Sequence, residues 1–371
     1  MQLTIDVTPV LLRSAGIKNH LHYWTKALER SRDSHEIRYF PYVTELGALK
    51  HDKGLDQGAP NWRLFLVAAF NYGPSHQLAR QLTPLAQIFH GSTQLRRMPR
   101  TARLTSHIHD LTCWLMPEMH TRANVKAGEQ LAEHVWRKAD GLIAVSQSAR
   151  NDAERLLGID PERVQVIYHG VPEEYFRTGS QLSGALRAAY DLFRPYVLSV
   201  GTIEPRKNLD RLLDAWQSLP QDMQEQYELL IAGPFGWKSE PLQKRIAGLG
   251  SGIRYLGYVH EQDLPLLTAG ATALAYPSLY EGFGFPVAQA MACGIPVLTS
   301  NVSSMPEVAG GGAILVDPLS VTEIREGLAA LLTSPSLRNE LGGRGRALAE
   351  AQYRWDKIAR QSWDFFERIA A

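Results

Sequence analysis

Arg206 and Lys207 stand side by side in the run Ser199–Val200–Gly201–Thr202–Ile203–Glu204–Pro205–Arg206–Lys207–Asn208. An apolar strand, Tyr196–Val200, ends just before Gly201, and Gly201 and Pro205 shape a loop. A helix follows from near Asn208, with Leu209, Leu212, Leu213 and Trp216 spaced along one face. Two cations are thereby set beside a helix N-terminus, whose partial positive charge opposes them. An anion between them removes the conflict. A diphosphate suits both residues, since Arg can bind it bidentately and Lys acts as a point charge. Two solvated basic side chains on an exposed helix face are the plain alternative.

A second stretch, Tyr276 to Gly294, offers matching chemistry. The apolar run Ala271–Ala275 reads as a buried strand stopped by Pro277, and the loop after it holds Glu281, Gly282 and Gly284. Pro286 then stands where a first helical residue belongs, and Gly294 where a helix ends. Bare N–H groups and a helix dipole meet at that point, which makes an anion site. Glu281 lies just before it, and Gln289 faces back from the early helix. An anionic ligand with hydroxyl groups, such as a sugar nucleotide, fits this pattern; a generic strand-to-helix turn is the alternative.

The run from Tyr276 to Gly294 resembles the signature of retaining glycosyltransferases of family four, in the GT-B class. That signature is a Glu, seven residues and a second Glu, with Gly-Phe-Gly and a Pro between. Here Glu281, Gly282, Phe283, Gly284 and Pro286 match, while Gln289 takes the place of the second Glu. The resemblance implies that Glu281 orients donor-sugar hydroxyls and Gln289 the ribose, around a donor cradled at Gly282, Phe283 and Gly284. The segment Glu204–Asn208 is similar to the family's Glu-Pro-Arg-Lys-Asn, in which Arg206 and Lys207 bind the donor diphosphate. His109–Asp110, at the end of another strand, resembles the family's His-Asp; His109 then lies near the donor sugar and acceptor with Asp110 as its orienter, and His107 has no matching role. Ala232–Trp237 and Gly257–Val259 resemble loops that cradle base and ribose, with Gly233 allowing close backbone approach and the Val259 main chain meeting the base. Gly16 follows Ser14–Ala15 where the family carries two neighbouring glycines, and Ser300–Val308 matches as support.

These residues need strands to carry them. Leu3–Val7, Glu36–Phe40, Leu64–Phe70, Ala86–His90, Leu104–His109, Gly141–Val145 and Val164–Tyr168 read as strands, with helical stretches such as Gly128–Lys138 between several. A looser segment from Pro172 to about Pro195, with Gly179, Ser180, Ser183 and Gly184, reads as a linker. Alternation restarts with Tyr196–Val200, Glu228–Ala232, Ile253–Leu256, Ala271–Ala275, Pro296–Ser300 and Ala313–Val316. The expected fold is α/β, two doubly wound Rossmann-like domains facing each other across a cleft. The boundaries are 1–178 for the acceptor-side domain and 190–353 for the nucleotide-sugar domain, with the helix in 354–371 packing back on the first, as the family implies.

Composition bounds the setting. The 371 residues exceed one ordinary core, and 44% hydrophobic with 21% charged residues describes a globular chain. A net charge of +1 gives no reason to invoke nucleic acid. Two cysteines, Cys113 and Cys293, make a disulfide framework unlikely, and Met1–Val7 reads as a strand without the features of a signal peptide. With no run of about twenty apolar residues, the expected location is cytoplasmic. Arg96, Arg97, Arg100 and Arg103, followed by Trp114, Leu115 and Met116, could dock on anionic lipid at the inner face of a membrane; the neutral total charge favours a solvated loop.

No Asp-X-Asp pair, zinc-ligand spacing or Gly-Lys-Ser/Thr phosphate loop appears, so neither metal nor cofactor is expected beyond the nucleotide-sugar substrate. The resemblance therefore implies a retaining hexosyltransferase acting on a nucleotide sugar, with GDP-mannose favoured, and a glycan or lipid-linked acceptor. A noncatalytic nucleotide-sugar-binding subunit and an epimerase of the same fold stay open beside it.

Overall fold

A computed structural model describes residues 1–11, 15–41, 62–72, 77, 81, 85–97, 99, 101–179, 184–248, 250 and 252–371. Ser14, Arg100, Ser180 and Ser183 lie outside the described residues. The chain divides into two compact units, residues 1–170 with 355–371, and residues 171–354.

The first unit holds six parallel strands: β1 (Gln2–Asp6), β2 (Glu36–Phe40), β3 (Ala86–Gly91), β4 (Thr101–Ile108), β5 (Gly141–Ala144) and β6 (Val164–Val166). They lie in the order β2-β1-β3-β4-β5-β6. A sheet covered on both faces needs strands that are apolar throughout, and all of β5 is buried. Helix α1 (Ala15–Arg30) lays Leu21, Trp24 and Leu28 on this sheet, where Ile358, Trp363 and Phe366 of the C-terminal helix (Trp355–Ala370) join the same core. Trp24 Nε1 donates to Ser362 Oγ at 3.0 Å and Trp363 Nε1 to the Leu28 carbonyl at 3.3 Å. The two aromatic residues thus bury their rings without orphaning their N–H groups.

One expected strand is a helix. Leu64–Phe70 falls within α2 (Trp62–Tyr72). Its apolar run lacks alternation, and periodicity alone does not separate such a run from a helix. The observed burial is one-sided: Phe70 packs on Phe40 at 5.6 Å between ring centroids, whereas Trp62 and Phe65 are 53% and 78% exposed.

The second unit contains β7 (Tyr196–Val200), β8 (Glu228–Ala232), β9 (Ile253–Gly257), β10 (Ala273–Tyr276), β11 (Val297–Ser300) and β12 (Ala313–Val316), again all parallel. The order is β12-β11-β10-β7-β8-β9, so chain order reverses between β7 and β10. Connections there leave towards opposite faces, and open α/β sheets bind ligands beyond the carboxyl ends of strands at such a point. Helix α3 (Leu209–Gln217) seals one face with Leu212, Leu213 and Trp216, all fully buried.

Gly233, just after β8, has φ 142°, and a Cβ there would stand 2.0 Å from the carbonyl oxygen of Gly201. The backbone after β8 therefore rests directly on the backbone after β7. Gly233→Ala should destabilise the second unit by about 2 kcal/mol or more, since both the conformation and the space are lost. Urea unfolding measures this, and an unshifted midpoint would rule out the described approach.

Candidate active site

The loops after β7 and β10 are sewn together before either presents a charge. Pro205–Lys207 forms a single 3-10 turn, closed by Asn208 in the left-handed region at φ 59°. The Asn208 amide donates to the carbonyls of Pro277 at 2.9 Å and Pro318 at 2.6 Å. Leu279 N donates to the Arg206 carbonyl at 2.9 Å, and Ser300 Oγ donates to the Ser278 carbonyl. Asn208 thus acts as a short strut between three loops.

On this frame Glu281 lies between the two cations. Its Oε1 accepts from Lys207 Nζ at 2.6 Å and from the Tyr276 hydroxyl at 2.8 Å, while Oε2 pairs with Arg206 at 2.7 Å. Arg206 also donates to Glu204 at 2.5 Å and to the Tyr280 carbonyl at 2.7 Å. Lys207 Nζ reaches the Tyr276 hydroxyl at 2.6 Å. The anion that two adjacent cations require is therefore supplied within the chain, by Glu281 together with Glu204.

Burial would raise the Glu281 carboxyl, but Arg206 and Lys207 outweigh it and hold the group at about 2. Burial, followed by repulsion from Arg206, lowers Lys207 below its usual value, opposed by Glu281 and Glu204. Burial and the Glu281 charge push Tyr276 well above the ordinary phenol range, so it stays a neutral hydrogen-bonding group.

Helix α4 (Phe285–Ala292) begins beside this cluster, after Gly284 at φ 96°. A Cβ on Gly284 would stand 2.3 Å from Met305 Cε, so the turn admits glycine for both space and conformation. No described residue hydrogen-bonds the main-chain N–H of Gly282 or Gly284, which leaves both able to meet an anion. The helix ends as expected at Gly294: Gly294 N donates to the Met291 carbonyl and Ile295 N to that of Ala290, both at 2.9 Å.

The remaining residues singled out by sequence are more scattered. Phe283 turns inward, 3% exposed and edge-on to Tyr353 at 5.5 Å, so its side chain supports the loop. Gln289 is half-buried on the same stripe of α4 as Phe285, with no hydrogen bond joining its amide to Glu281, Arg206 or Lys207. Gly201 has φ 150° and Lys207 Cε within 3.7 Å of its Cβ position, which puts it beside the cluster. The close approach at Gly233 is to Gly201 itself. Val259 is buried by side chain and follows β9. Gly16 stands in the first turn of α1, exposed, with nothing within 4 Å of its Cβ position.

His109 follows β4, and the structure surrounds it with rings that sequence reading left unassigned. His107 and His169 stack against it at 5.4 Å and 5.6 Å between centroids, within 15° and 17° of parallel. His20 from α1 stands edge-on at 5.3 Å. His90 and His107 share a 2.6 Å hydrogen bond, and the other nitrogen of His90 pairs with Thr105 Oγ1 at 2.9 Å. Asp110 does not orient His109 by a hydrogen bond; its Oδ1 accepts from Thr112 N at 3.0 Å and Thr112 Oγ1 at 2.6 Å. His107 could have been suspected, because residues two apart on a strand share a face. His20, His90 and His169 carry no such local signal.

Burial keeps these imidazoles neutral: His90 falls to about 3 and His109 to about 4, with Asp110 raising the latter slightly. His20, His107 and His169 lie well below the ordinary imidazole value, from burial first and neighbouring histidines next. Both ring nitrogens of His20 lack a hydrogen-bond partner, at a cost of about 1–3 kcal/mol for each buried polar group.

The arginines of the basic stretch are partly spent internally. Arg96 is 7% exposed and donates to main-chain carbonyls of its own loop, and Arg103 pairs with Asp140 at 3.1 Å. Arg97, Trp114, Leu115 and Met116 are half-buried. No helix among the described residues is long and apolar enough to cross a membrane.

The histidine cluster sets an acid limit. The unfolded chain takes up protons near the ordinary value of about 6.5, while the folded rings stay neutral to lower pH. Stability should therefore be unaffected by these groups above that pH and fall below it, by up to about 1.4 kcal/mol per histidine per pH unit. Hydrogen exchange of the β1–β4 amides should show protection dropping steeply between about pH 6.5 and 5. Constant protection over that window contradicts a neutral buried cluster.

A family model described as "Glycosyl transferases group 1" matches residues 189–348, and one described as "Glycosyltransferase Family 4" matches 14–175. The O-antigen chain mannosyltransferase B of Escherichia coli is 35% identical over 100% of both chains. The serotype-specific mannosyltransferase WbdA of Escherichia coli is 33% identical over 65% of this chain and 30% of its own length. Among solved structures, Anabaena Alr3699/HepE in complex with UDP and glucose has a TM-score of 0.70 at 19% identity, covering 99% of this chain and 100% of that one. That last likeness is one of fold.

Proposed function

The chain belongs to the family-four glycosyltransferases, and from that membership we propose that it moves mannose from GDP-mannose to a hydroxyl of a growing surface polysaccharide, retaining the anomeric configuration. The observation that carries the reading is the Arg206–Lys207–Glu281 cluster at the point where strand order reverses in the second unit. Similarity to a mannosyltransferase along the whole chain supports the sugar.

Two positive and two negative side chains make the cluster neutral before substrate arrives. A donor diphosphate competes with Glu281 for Arg206 and Lys207, and the free N–H groups of Gly282 and Gly284 add further donors. As the bond from the anomeric carbon to the phosphate oxygen breaks, charge builds on the departing GDP, and fixed cations stabilise that charge without reorganising. The acceptor oxygen bonds to the anomeric carbon on the same face, and its proton passes to the departing phosphate oxygen. Glu281, relieved of one cation, accepts hydrogen bonds from the donor-sugar hydroxyls, Gln289 holds the ribose, and Gly201, Gly233 and Val259 shape the nucleoside pocket. In the family pattern His109 attends the sugar and acceptor. The acceptor in this reading is a glycan or lipid-linked glycan, in keeping with a relative named as an O-antigen chain mannosyltransferase.

Lys207→Ala should lower kcat about 10²–10³-fold in a protein that still folds, because a stabiliser of the leaving group is lost. Release of GDP from GDP-mannose in the presence of acceptor measures it, and near-normal turnover would remove Lys207 from the mechanism.

Gln289→Glu tests a different part. A carboxylate accepts from both ribose hydroxyls through charge-assisted bonds roughly twice as strong as those of an amide. Held alike in ground and transition states, the ribose should bind more tightly, giving a lower donor KM with kcat little changed. Steady-state kinetics decide: no change in either constant separates Gln289 from the ribose, and activity appearing in a previously inert protein would identify the native chain as a binding subunit.

A further inference from the structure

The histidines around His109 form a layered arrangement that the transfer reaction itself does not use. His107, two residues earlier on β4, and His169, after β6, both lie with their rings near-parallel to it. His20 stands across all three, at 4.8 Å from His107, 5.3 Å from His109 and 4.2 Å from His169. Trp24 and Trp355 close the outer side of His20 at 5.7 Å and 5.8 Å. His107 is itself held twice, by the 2.6 Å bond to His90 and by Trp136 Nε1, which donates to its carbonyl at 3.1 Å. His20, His90, His107 and His169 are each at most 5% exposed, whereas His109 is only half-buried. One ring of five is thus presented outward, from a bed of four.

A bed made of titratable rings is an unusual choice where phenylalanine would fill the space. Its chemical distinction is that protonating His20, His107 or His109 would place a cation against three neighbouring imidazoles in a largely buried site. The groups facing His109 are His20 from α1, His107 and Asp110 from β4 and its following turn, and His169 from the segment after β6, with His90 of β3 behind His107. Asp110 favours a charged ring, yet its carboxylate is committed to Thr112. Burial among the neighbouring rings opposes it and outweighs Asp110.

We propose that His20, His107 and His169 are positioning residues that fix the plane of His109 and keep its ring uncharged while it attends the transferred sugar. The inference rests on the assignment of His109 to the sugar. Its chemical logic follows from the direction of charge flow in glycosyl transfer. Negative charge collects on the departing diphosphate, where cations help; positive charge collects on the anomeric carbon, where a fixed cation opposes the reaction. A neutral imidazole still donates one hydrogen bond and accepts another, so it can bind a hydroxyl without that penalty.

Removing one neighbouring ring should expose His109 further and return it towards its ordinary titration near pH 6.5. Two variants of the full chain separate this from a packing role. In His169→Ala, kcat should fall about tenfold for each pH unit below a midpoint near 6.5, and recover as pH is raised to 8. In His169→Phe, which keeps an uncharged ring against His109, the acid limb should stay where the wild type has it. NMR titration of the imidazole carbons should show His109 neutral at pH 5.5 in the wild type and in His169→Phe, and titrating near 6.5 in His169→Ala. A wild-type His109 that titrates near 6.5 overturns the proposal, as does a His169→Ala loss of kcat equal at every pH. His109→Phe reports on the underlying assignment: unchanged kcat and KM would remove His109 from the reaction, while the NMR titration still judges the surrounding rings.

Discussion

The carboxylate of Glu281, buried between Arg206 and Lys207, is the interaction that ties the second unit's candidate site together. It joins the loop after β10 to the loop after β7 at the reversal of strand order, and it does so with little solvent to screen it. Buried ion pairs offset their desolvation only when geometry is good and remaining polar atoms find partners. Here Tyr276, Glu204 and the Tyr280 carbonyl complete the set, so each cation has two or more partners. Such a cluster is preformed, and in the proposed reaction its cations meet a diphosphate that competes with one carboxylate.

The two units solve opposite electrostatic problems. In the second, charge is concentrated and balanced: two cations, two anions and two free glycine N–H groups meet at one sheet edge. In the first, five histidines gather in α1, at the carboxyl ends of β3 and β4 and after β6, and burial holds them neutral. Each arrangement uses the same topological resource, the carboxyl edge of a parallel sheet, where loops converge and backbone groups are spare. The residue types placed there decide whether that edge attracts an anion or holds an uncharged ring.

Much of this was legible because strands in doubly wound sheets are apolar runs bounded by glycine and proline. Glu228–Ala232, Ala313–Val316 and Glu36–Phe40 have the observed bounds, and α4 starts and stops where Pro286 and Gly294 require. Leu64–Phe70 was misread because a short apolar run without alternation fits a one-sided helix equally well. Adjacent Arg206 and Lys207 call for an anion, but that Glu281 supplies one depends on two loops meeting across some seventy residues of chain. The histidine cluster was hidden for the same reason. His20 lies in α1, His90 in β3, His107 and His109 at the end of β4, and His169 after β6; apart from the 107–109 pair, only the sheet order brings them together.

The account's central claim is that a diphosphate, and not the rest of the nucleotide, is what the Arg206–Lys207–Glu281 cluster recognises. Calorimetric titration of the full chain with GDP and with GMP tests it most directly. The account predicts that GDP binds at least about tenfold more tightly, since charge-assisted bonds to the second phosphate are worth roughly 1.5–3 kcal/mol. It also predicts that Arg206→Ala removes most of that difference while leaving GMP binding nearly as it was. Equal affinities for GDP and GMP in the native protein would contradict it.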